Sequence, residues 1–570
     1  MTRSSPPSAD LAIVAAQLAA APGWSRACAL LPDPDAADPA MVDAILNEAS
    51  RFADDVLAPL NDAMDRHGCR IEAGRVRTAP GHDAAWAQFV ANGWATLGQP
   101  IDHGGQPLPT AIWAAVEGVF DRANPSFAML PVPLISSARL IAAWADPATA
   151  AQWLPRIVAA ECAATICISE PDAGSDVGRA RTTARADGEG GWIIDGEKCW
   201  ISFGDHDLAP RIVHCLLART GDAASGGGGL SLFLVPDTLE DGTRNGVVIR
   251  RIEEKMGLHG SPTCALGFEG ARGILLGQEG RGLAQMFVMI ANMRLAVAIQ
   301  GLGIASAVTD VAARYAAERR QGGRPAEPPV PITAHADVRR MLLEMASTTE
   351  TLRGLILALA NHVDIAARAP DAGERAEADL LAQWLLPIVK TAGAEIGFDV
   401  ASTGVQVLGG AGYTREWSIE QGVRDARVLS VFEGTSGIQA LDLMHRRLMR
   451  DDAASLHAFL RVARADADAA GPAAQPLHRA LDQLEEAGAF LRSAERVEAE
   501  AGATAFLKLA ILTAQGWIAA RLVARGDGSP AASTLTDAGR YFLARLAPRA
   551  VLAATEAMAG SAVPATLAGS

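Results

Sequence analysis

The chain has 570 residues, of which 49% are apolar and 20% charged, and its net charge is −15. That length exceeds what one hydrophobic core serves, and the apolar share excludes a disordered chain. The acidic balance excludes a surface built mainly for nucleic acid or an anionic membrane.

Aromatic residues make up only 5% while alanine is abundant, which favours helix over sheet. Residues 1–35 read as an arm with one amphipathic helix. Residues 36–161 read as an all-helical domain: Asp38 can cap a helix carrying Met41, Ile45, Phe52 and Val56, and Asn124-Pro125 and Asp146-Pro147 start further helices. Near Cys162 the period changes. Short strand-like runs at 163–169, 181–186, 191–195, 198–203, 212–219, 230–235 and 246–251 define a β-domain over residues 162–275, with Asp195-Gly196 as a hairpin turn. Residues 276–450 return to helical spacing and read as a bundle, opened by one long helix to about Arg320. Residues 451–570 form an additional Ala-rich helical domain with 11 basic against 13 acidic residues, so it has no basic face.

The order of helices, sheet and helices does not alternate strand with helix, so a doubly wound dinucleotide fold is not expected. Gly301-x-Gly303 lies inside a helical run and does not follow a strand, and Gly226–Gly229 lacks the Gly-Lys-Ser/Thr ending of a phosphate loop. The seven cysteines contain no C-x-x-C pair and read as buried reduced thiols, with no metal site. Residues 1–9 are polar without a basic cluster, and the apolar run 11–21 is short. A cytoplasmic protein without a signal peptide or stable membrane anchor is therefore expected.

One carboxylate stands out. In RDARVLSVFEGTSGIQ, residues 424–439, Glu433 precedes Gly434 and Thr435 where a helical pattern begins, and Thr435 or Ser436 can cap that helix. Alone this is an acid near a helix N-terminus, where the dipole favours it. It is preceded, in order, by Ile168-Ser-Glu-Pro-Asp-Ala-Gly-Ser-Asp176, Gly196-Glu-Lys-Cys-Trp-Ile-Ser202, Lys255-Met-Gly-Leu-His-Gly-Ser-Pro-Thr263, Glu318-Arg-Arg-Gln-Gly322 and Gln406-Val-Leu-Gly-Gly-Ala-Gly-Tyr413. This ordered set, over roughly residues 40–450, resembles the acyl-CoA dehydrogenase family. The Lys255–Thr263 motif and the C-terminal extension resemble its longer bacterial subgroup, which includes methylthiopropanoyl-CoA dehydrogenase-like enzymes.

The resemblance implies a mainly α fold with a central β-domain, a C-terminal four-helix bundle and extra C-terminal helices. It implies FAD as cofactor, an acyl-CoA substrate and a trans-2-enoyl-CoA product. Electrons would pass to an electron-transferring flavoprotein, and the assembly would be a homo-oligomer, with a dimer favoured if the extension covers a tetramer surface. Glu433 matches the catalytic base, and its own N–H matches a donor to the thioester oxygen. Ile168 and Ser169 match contacts to the flavin ring; Trp200 and Ser202 match its aromatic wall and N5 side. Arg319, Gln406, Gly409 and Gly410 match residues at the FAD diphosphate of a neighbouring subunit, and Thr435 a contact to the adenosine half. Ser175, Arg294 and Gly434 fall on the CoA and thioester side.

The chain departs from the family pattern at three places. Ser169 stands where threonine is common, Phe432 where tyrosine is common, and His335-Ala336 where many members have His-Gln. Two other activities share this resemblance: an oxidase that uses oxygen, and a DNA-damage-associated flavoprotein. The second calls for a basic C-terminal face, which residues 451–570 lack.

Overall fold

The computed structural model describes residues 6, 8–524 and 529–560. Two compact units share the chain. One comprises Phe52–Pro107 and Asn124–Ala296; the other comprises Met1–Arg51, Leu108–Ala123 and Val297–Ser570.

Among the described residues, the first unit holds every strand. Within the stretch expected to be all-helical, a small hairpin pairs β1 (Arg70–Glu72) with β2 (Arg75–Arg77). The main sheet contains β3 (Ala163–Cys167), β4 (Thr183–Ala186), β5 (Trp192–Ser202), β6 (Ile212–Arg219), β7 (Leu230–Pro236), β8 (Val247–Ile252) and β9 (Thr263–Leu276). Its order is β3-β6-β4-β5-β9-β7. The β6–β7 ladder and one β4–β6 pair, Thr183 with Arg219, curl it back on itself. Ile194, Leu216, Phe233, Leu266 and Phe268 fill its interior.

β9 organises this sheet: β5 lies along one edge, and β8 then β7 share the other. The sequence reading has no strand there, because Gly267, Gly270 and Gly273 break its alternation. Each glycine has a packing reason. A Cβ on Gly267 would press on the Arg250 guanidinium and one on Gly273 on the Ile194 side chain, while Gly270 takes φ 65°. The Asp195-Gly196 hairpin is a correction of the same kind. β5 runs straight through, and the irregularity is a bulge at Gly270 on the partner strand, whose N–H donates to Asp195 Oδ1 at 2.7 Å. A hairpin motif was legible, but its turn residues serve to hold a bulge.

The second unit is helical. The long helix Gly282–Glu318 contributes its later residues, joined by Ala336–Arg368, Ala372–Leu408 and Thr110–Ala123. Gly301 and Gly303 find their use here. A Cβ on Gly301 would overlap the Gly393 carbonyl, and one on Gly303 would overlap the Asp121 side chain, so both let helices cross closely. Asp38 caps Pro39–Phe52 through a 2.7 Å bond from the Met41 N–H; on that helix Val42 and Leu46 are buried and Met41 is exposed. The arm forms two helices, Leu11–Ala20 and Trp24–Ala29, where one was expected.

Helices Ala454–Ala470, Gln475–Ser493, Arg496–Ala524 and Pro530–Ala557 are built onto the Ala336–Arg368 and Ala372–Leu408 helices. Polar pins fix them: Gln515 Nε2 donates to Thr351 Oγ1 (2.9 Å), Arg549 pairs with Glu344 (2.7 Å), and Trp517 and Arg521 both donate to Asp466 (2.6 and 2.7 Å). Among the described residues, three helical stretches, Pro125–Trp144, Gly282–Glu318 and Arg496–Ala524, are long and apolar enough to cross a membrane by length and composition. In each, 78% of the apolar window is buried inside the protein, which accounts for the hydropathy.

Candidate active site

In the helical unit the site is built on a turn. After the short helix Arg427–Ser430 the chain reaches Glu433 at φ 53° and Gly434 at φ 88°. A left-handed glutamate is disfavoured by about 1–2 kcal/mol, so neighbouring groups must hold it there. Three do. Thr435 caps Ser436–Asp442 by accepting from the Ile438 N–H at 3.2 Å, which settles the choice between Thr435 and Ser436. Gln439 Nε2 donates to the Glu433 and Gly434 carbonyls at 3.2 and 3.4 Å. Lys390, fully buried on Ala372–Leu408, donates to the Gly434 carbonyl at 2.7 Å and the Leu429 carbonyl at 2.8 Å. The turn is thus anchored by its carbonyls, with the Glu433 side chain half-buried.

The structure brings Glu433, Gly434 and Thr435 together but sets Arg319, Gln406, Gly409 and Gly410 apart from them. Gly301 meets Gly393 and Gly404 meets Val308, so the two long helices run parallel and end on the same side. Arg319 and the turn Gly409–Tyr413 emerge there, with Arg319, Gly409, Gly410 and Tyr413 exposed and Gly412 buried. Gln406 lies sixteen residues beyond Lys390, about 24 Å along the helix at 1.5 Å per residue. A Cβ at Gly409 or Gly410 would meet nothing within 4 Å, so the backbone there faces open space. His335 Nε2 lies 2.9 Å from the Gln321 carbonyl and closes the loop that follows Arg319.

In the sheet unit Ile168, Ser169, Trp200 and Ser202 come together. The Cys199 N–H donates to the Ser169 carbonyl at 2.9 Å, and Lys198 Nζ donates to the Ile168 carbonyl at 3.0 Å and to Glu170 at 2.7 Å. β5 carries one extra residue between Lys198 and Ile201 relative to β9. This bulge places Trp200 at φ 64° with its side chain out of the sheet; the residue is 60% exposed. Glu170 also accepts from the Arg181 and Thr182 N–H groups at 2.6 and 3.1 Å. Burial pushes its carboxyl up, but Lys198 and these donors outweigh it and hold it below the usual range. Burial pulls Lys198 down against the attraction of Glu170.

Ser175 is exposed on the loop after Glu170, and Arg294 is buried with its guanidinium 6.0 Å from the Phe287 ring centre. The Lys255–Thr263 motif is a closed loop. Lys255 Nζ donates to the Ser261 carbonyl at 2.6 Å, and the His259 ring nitrogens lie 2.9 Å from the Asp65 carbonyl and 2.8 Å from the Lys255 carbonyl.

Sequence reasoning missed Lys198, Glu170, Lys390 and Gln439 as supports of the site. The two lysines had a signal: each is a lone cation in an otherwise apolar or small-residue run, and such a cation is buried only when it has partners.

Family profiles match in the same order as these elements: the acyl-CoA dehydrogenase N-terminal domain over residues 41–161, the middle domain over 165–271 and the C-terminal domain over 280–449. The chain belongs to the acyl-CoA dehydrogenase family. It is 38% identical over 493 residues to 3-methylmercaptopropionyl-CoA dehydrogenase of Ruegeria pomeroyi, covering 83% of this chain and 84% of that one. It is also 38% identical over 385 residues to the broad-specificity linear acyl-CoA dehydrogenase FadE5 of Mycobacterium tuberculosis, covering 64% and 62%. A solved acyl-CoA dehydrogenase of Bacillus anthracis, complexed with FAD, shares the fold over 95% of this chain and 92% of that one, with a TM-score of 0.76 and 20% identity. That match includes the C-terminal helices, so the extension is part of a fold seen in another acyl-CoA dehydrogenase.

Proposed function

We propose that this acyl-CoA dehydrogenase removes the α-proton of an acyl-CoA thioester with Glu433, yields the trans-2-enoyl-CoA, and passes electrons to an electron-transferring flavoprotein in the cytoplasm. The observation that carries this reading is the anchored left-handed turn: the one carboxylate that the family pattern marks as a base is held in a costly conformation by three separate groups.

The sheet unit fits FAD. An exposed indole, pushed out by a bulge beside the Ile168–Ser169 backbone, offers a flat wall to an aromatic ring system. Ile168, Ser169, Trp200 and Ser202 would hold that ring, and Thr435 would face the adenosine half. Gln406, about 24 Å along the helix from Lys390, with Gly409 and Gly410 just past that helix end and Arg319 at the end of the parallel helix, would instead serve the diphosphate of a second subunit's FAD, where open glycine backbone admits close approach. This separation supports a homo-oligomer, and a dimer is the form we assign. Held by these residues, FAD would supply the hydride acceptor for the β-carbon.

The chain's own groups do the rest. The Glu433 carboxylate takes the proton, and the Glu433 N–H donates to the thioester oxygen as negative charge develops there, worth on the order of 3 kcal/mol. Ser175, Arg294 and Gly434 are assigned to the CoA and thioester side. The Ruegeria pomeroyi relative makes a short thioether-bearing acyl-CoA the first substrate to try.

Glu433→Gln should keep its yellow flavin and lose anaerobic bleaching by any acyl-CoA in a panel graded by length and branching. Bleaching at the wild-type rate overturns the assignment. Reduced wild-type enzyme should then be reoxidised by an electron-transferring flavoprotein much faster than by air; rapid reoxidation by oxygen overturns the acceptor.

A further inference from the structure

Lys390 is among the largest fully buried side chains, and neither the proton transfer nor the flavin contacts use it. An ammonium withdrawn from water is costly unless several groups satisfy it. Its position explains the cost. It sits on the continuous Ala372–Leu408 helix, a rigid element, and reaches both ends of the segment that carries Glu433: the Leu429 carbonyl before it at 2.8 Å and the Gly434 carbonyl after it at 2.7 Å. Gln439 Nε2 holds the Glu433 and Gly434 carbonyls from the other side, off the helix that Thr435 caps. With both carbonyls tied down and φ at 53°, the Cα–Cβ vector and the N–H of Glu433 are fixed together.

We propose that Lys390 is a positioning residue: its ammonium clamps the Leu429 and Gly434 carbonyls, and so locks the left-handed turn that aims the Glu433 carboxylate and N–H at the thioester. A neutral or shorter side chain cannot bridge both carbonyls. The turn would then relax toward the right-handed region that an L-residue prefers, and carboxylate and N–H would swing away together. A displacement of about 1 Å at a reacting group costs on the order of a hundredfold in rate. The loss falls mainly on the chemical step, because the two groups that swing away, the base and the donor to the developing oxyanion, act most strongly in the transition state. The inference rests on Glu433 being the base, and the test separates the two claims.

FAD-loaded wild type, Lys390→Met, Lys390→Gln and Glu433→Gln are mixed anaerobically with an acyl-CoA that reduces the wild-type flavin, and the limiting rate and half-saturating concentration are read separately. Lys390→Met should keep FAD and a cooperative melt, reduce the limiting rate about a hundredfold or more, and leave half-saturation within about threefold. Lys390→Gln, which keeps a donor at shorter reach, should fall between. If Glu433→Gln is inactive but Lys390→Met reduces at the wild-type rate, the clamp is overturned and the base stands. If Glu433→Gln reduces normally, the base fails and the clamp with it. A loss confined to half-saturation, or failure of both lysine variants to hold FAD and fold, shows a binding or purely structural role and overturns the proposal.

Discussion

The Lys198 ammonium lies 2.7 Å from the Glu170 carboxylate, with side-chain exposures of 0% and 7%. The pair ties the Ile168–Glu170 segment to the strand that thrusts out Trp200, so one buried interaction holds both sides of the proposed flavin wall. Removing one partner leaves the other charge uncompensated, at about 3–5 kcal/mol. Lys198→Met and Glu170→Gln should each lower the stability of the sheet unit on that scale in urea titration, and should release FAD on dialysis. The double variant should recover part of the loss. Single variants within about 0.5 kcal/mol of wild type, the level of an ordinary surface change, would refute this account.

Acid should act first on the sheet unit. His82, His206 and His214 are buried, and burial depresses them to about 3, about 4 and about 4 respectively. Neither ring nitrogen of His82 has a hydrogen-bond partner, and its ring packs against Phe127 and Phe203. Their folded-state values lie below the unfolded value of 6.5, so the unfolded chain takes up protons first. The histidines' contribution is complete above about pH 6.5 and falls as pH drops toward 4 and, for His82, on toward 3; His82 alone accounts for on the order of 5 kcal/mol at the limit. Hydrogen exchange over residues 124–281 should accelerate through that window before residues 336–408 do. His82→Leu should flatten the dependence, and an unchanged slope in that variant would count against the histidines as its source.

Alkali should act on the helical unit. Burial raises Glu117 to about 8, and burial followed by the charge of Glu117 raises Asp121 well above the usual carboxylate range. Glu117 Oε1 and Asp121 Oδ1 have no hydrogen-bond partner. The folded value of Glu117 exceeds the unfolded 4.5, so its contribution is full below about pH 4.5 and is lost as pH rises toward 8. Glu117→Gln removes that titration. Thermal melts should show it gaining up to about 3 kcal/mol over wild type between pH 5 and pH 8. A gain that does not grow with pH would contradict the assignment.

The parts legible in the sequence are those encoded locally. The caps of Asp38, Asn124, Asp146 and Thr435 each follow from an oxygen-bearing side chain just before a helical period. The helix–sheet–helix order follows from where the period switches. The resemblance named the family because motifs keep their order along a chain however the chain folds. β9 was illegible because its glycines answer to Arg250 and Ile194, which are neighbours in space and not in sequence. Asp195-Gly196 misled for the same reason, since its partner is Gly270, 75 residues away.

Sequence by itself determined the family and the order of helical and sheet regions, and singled out Glu433 as the candidate base, since each depends on residue type and spacing along one chain. Only the tertiary structure decided what holds Glu433 and Trp200 in left-handed backbone. Lys390, 43 residues before Glu433, and the bulge of β5 against β9 become visible once long-range contacts exist. Backbone strain has no signature in a sequence, because the groups that sustain it are brought there by the fold.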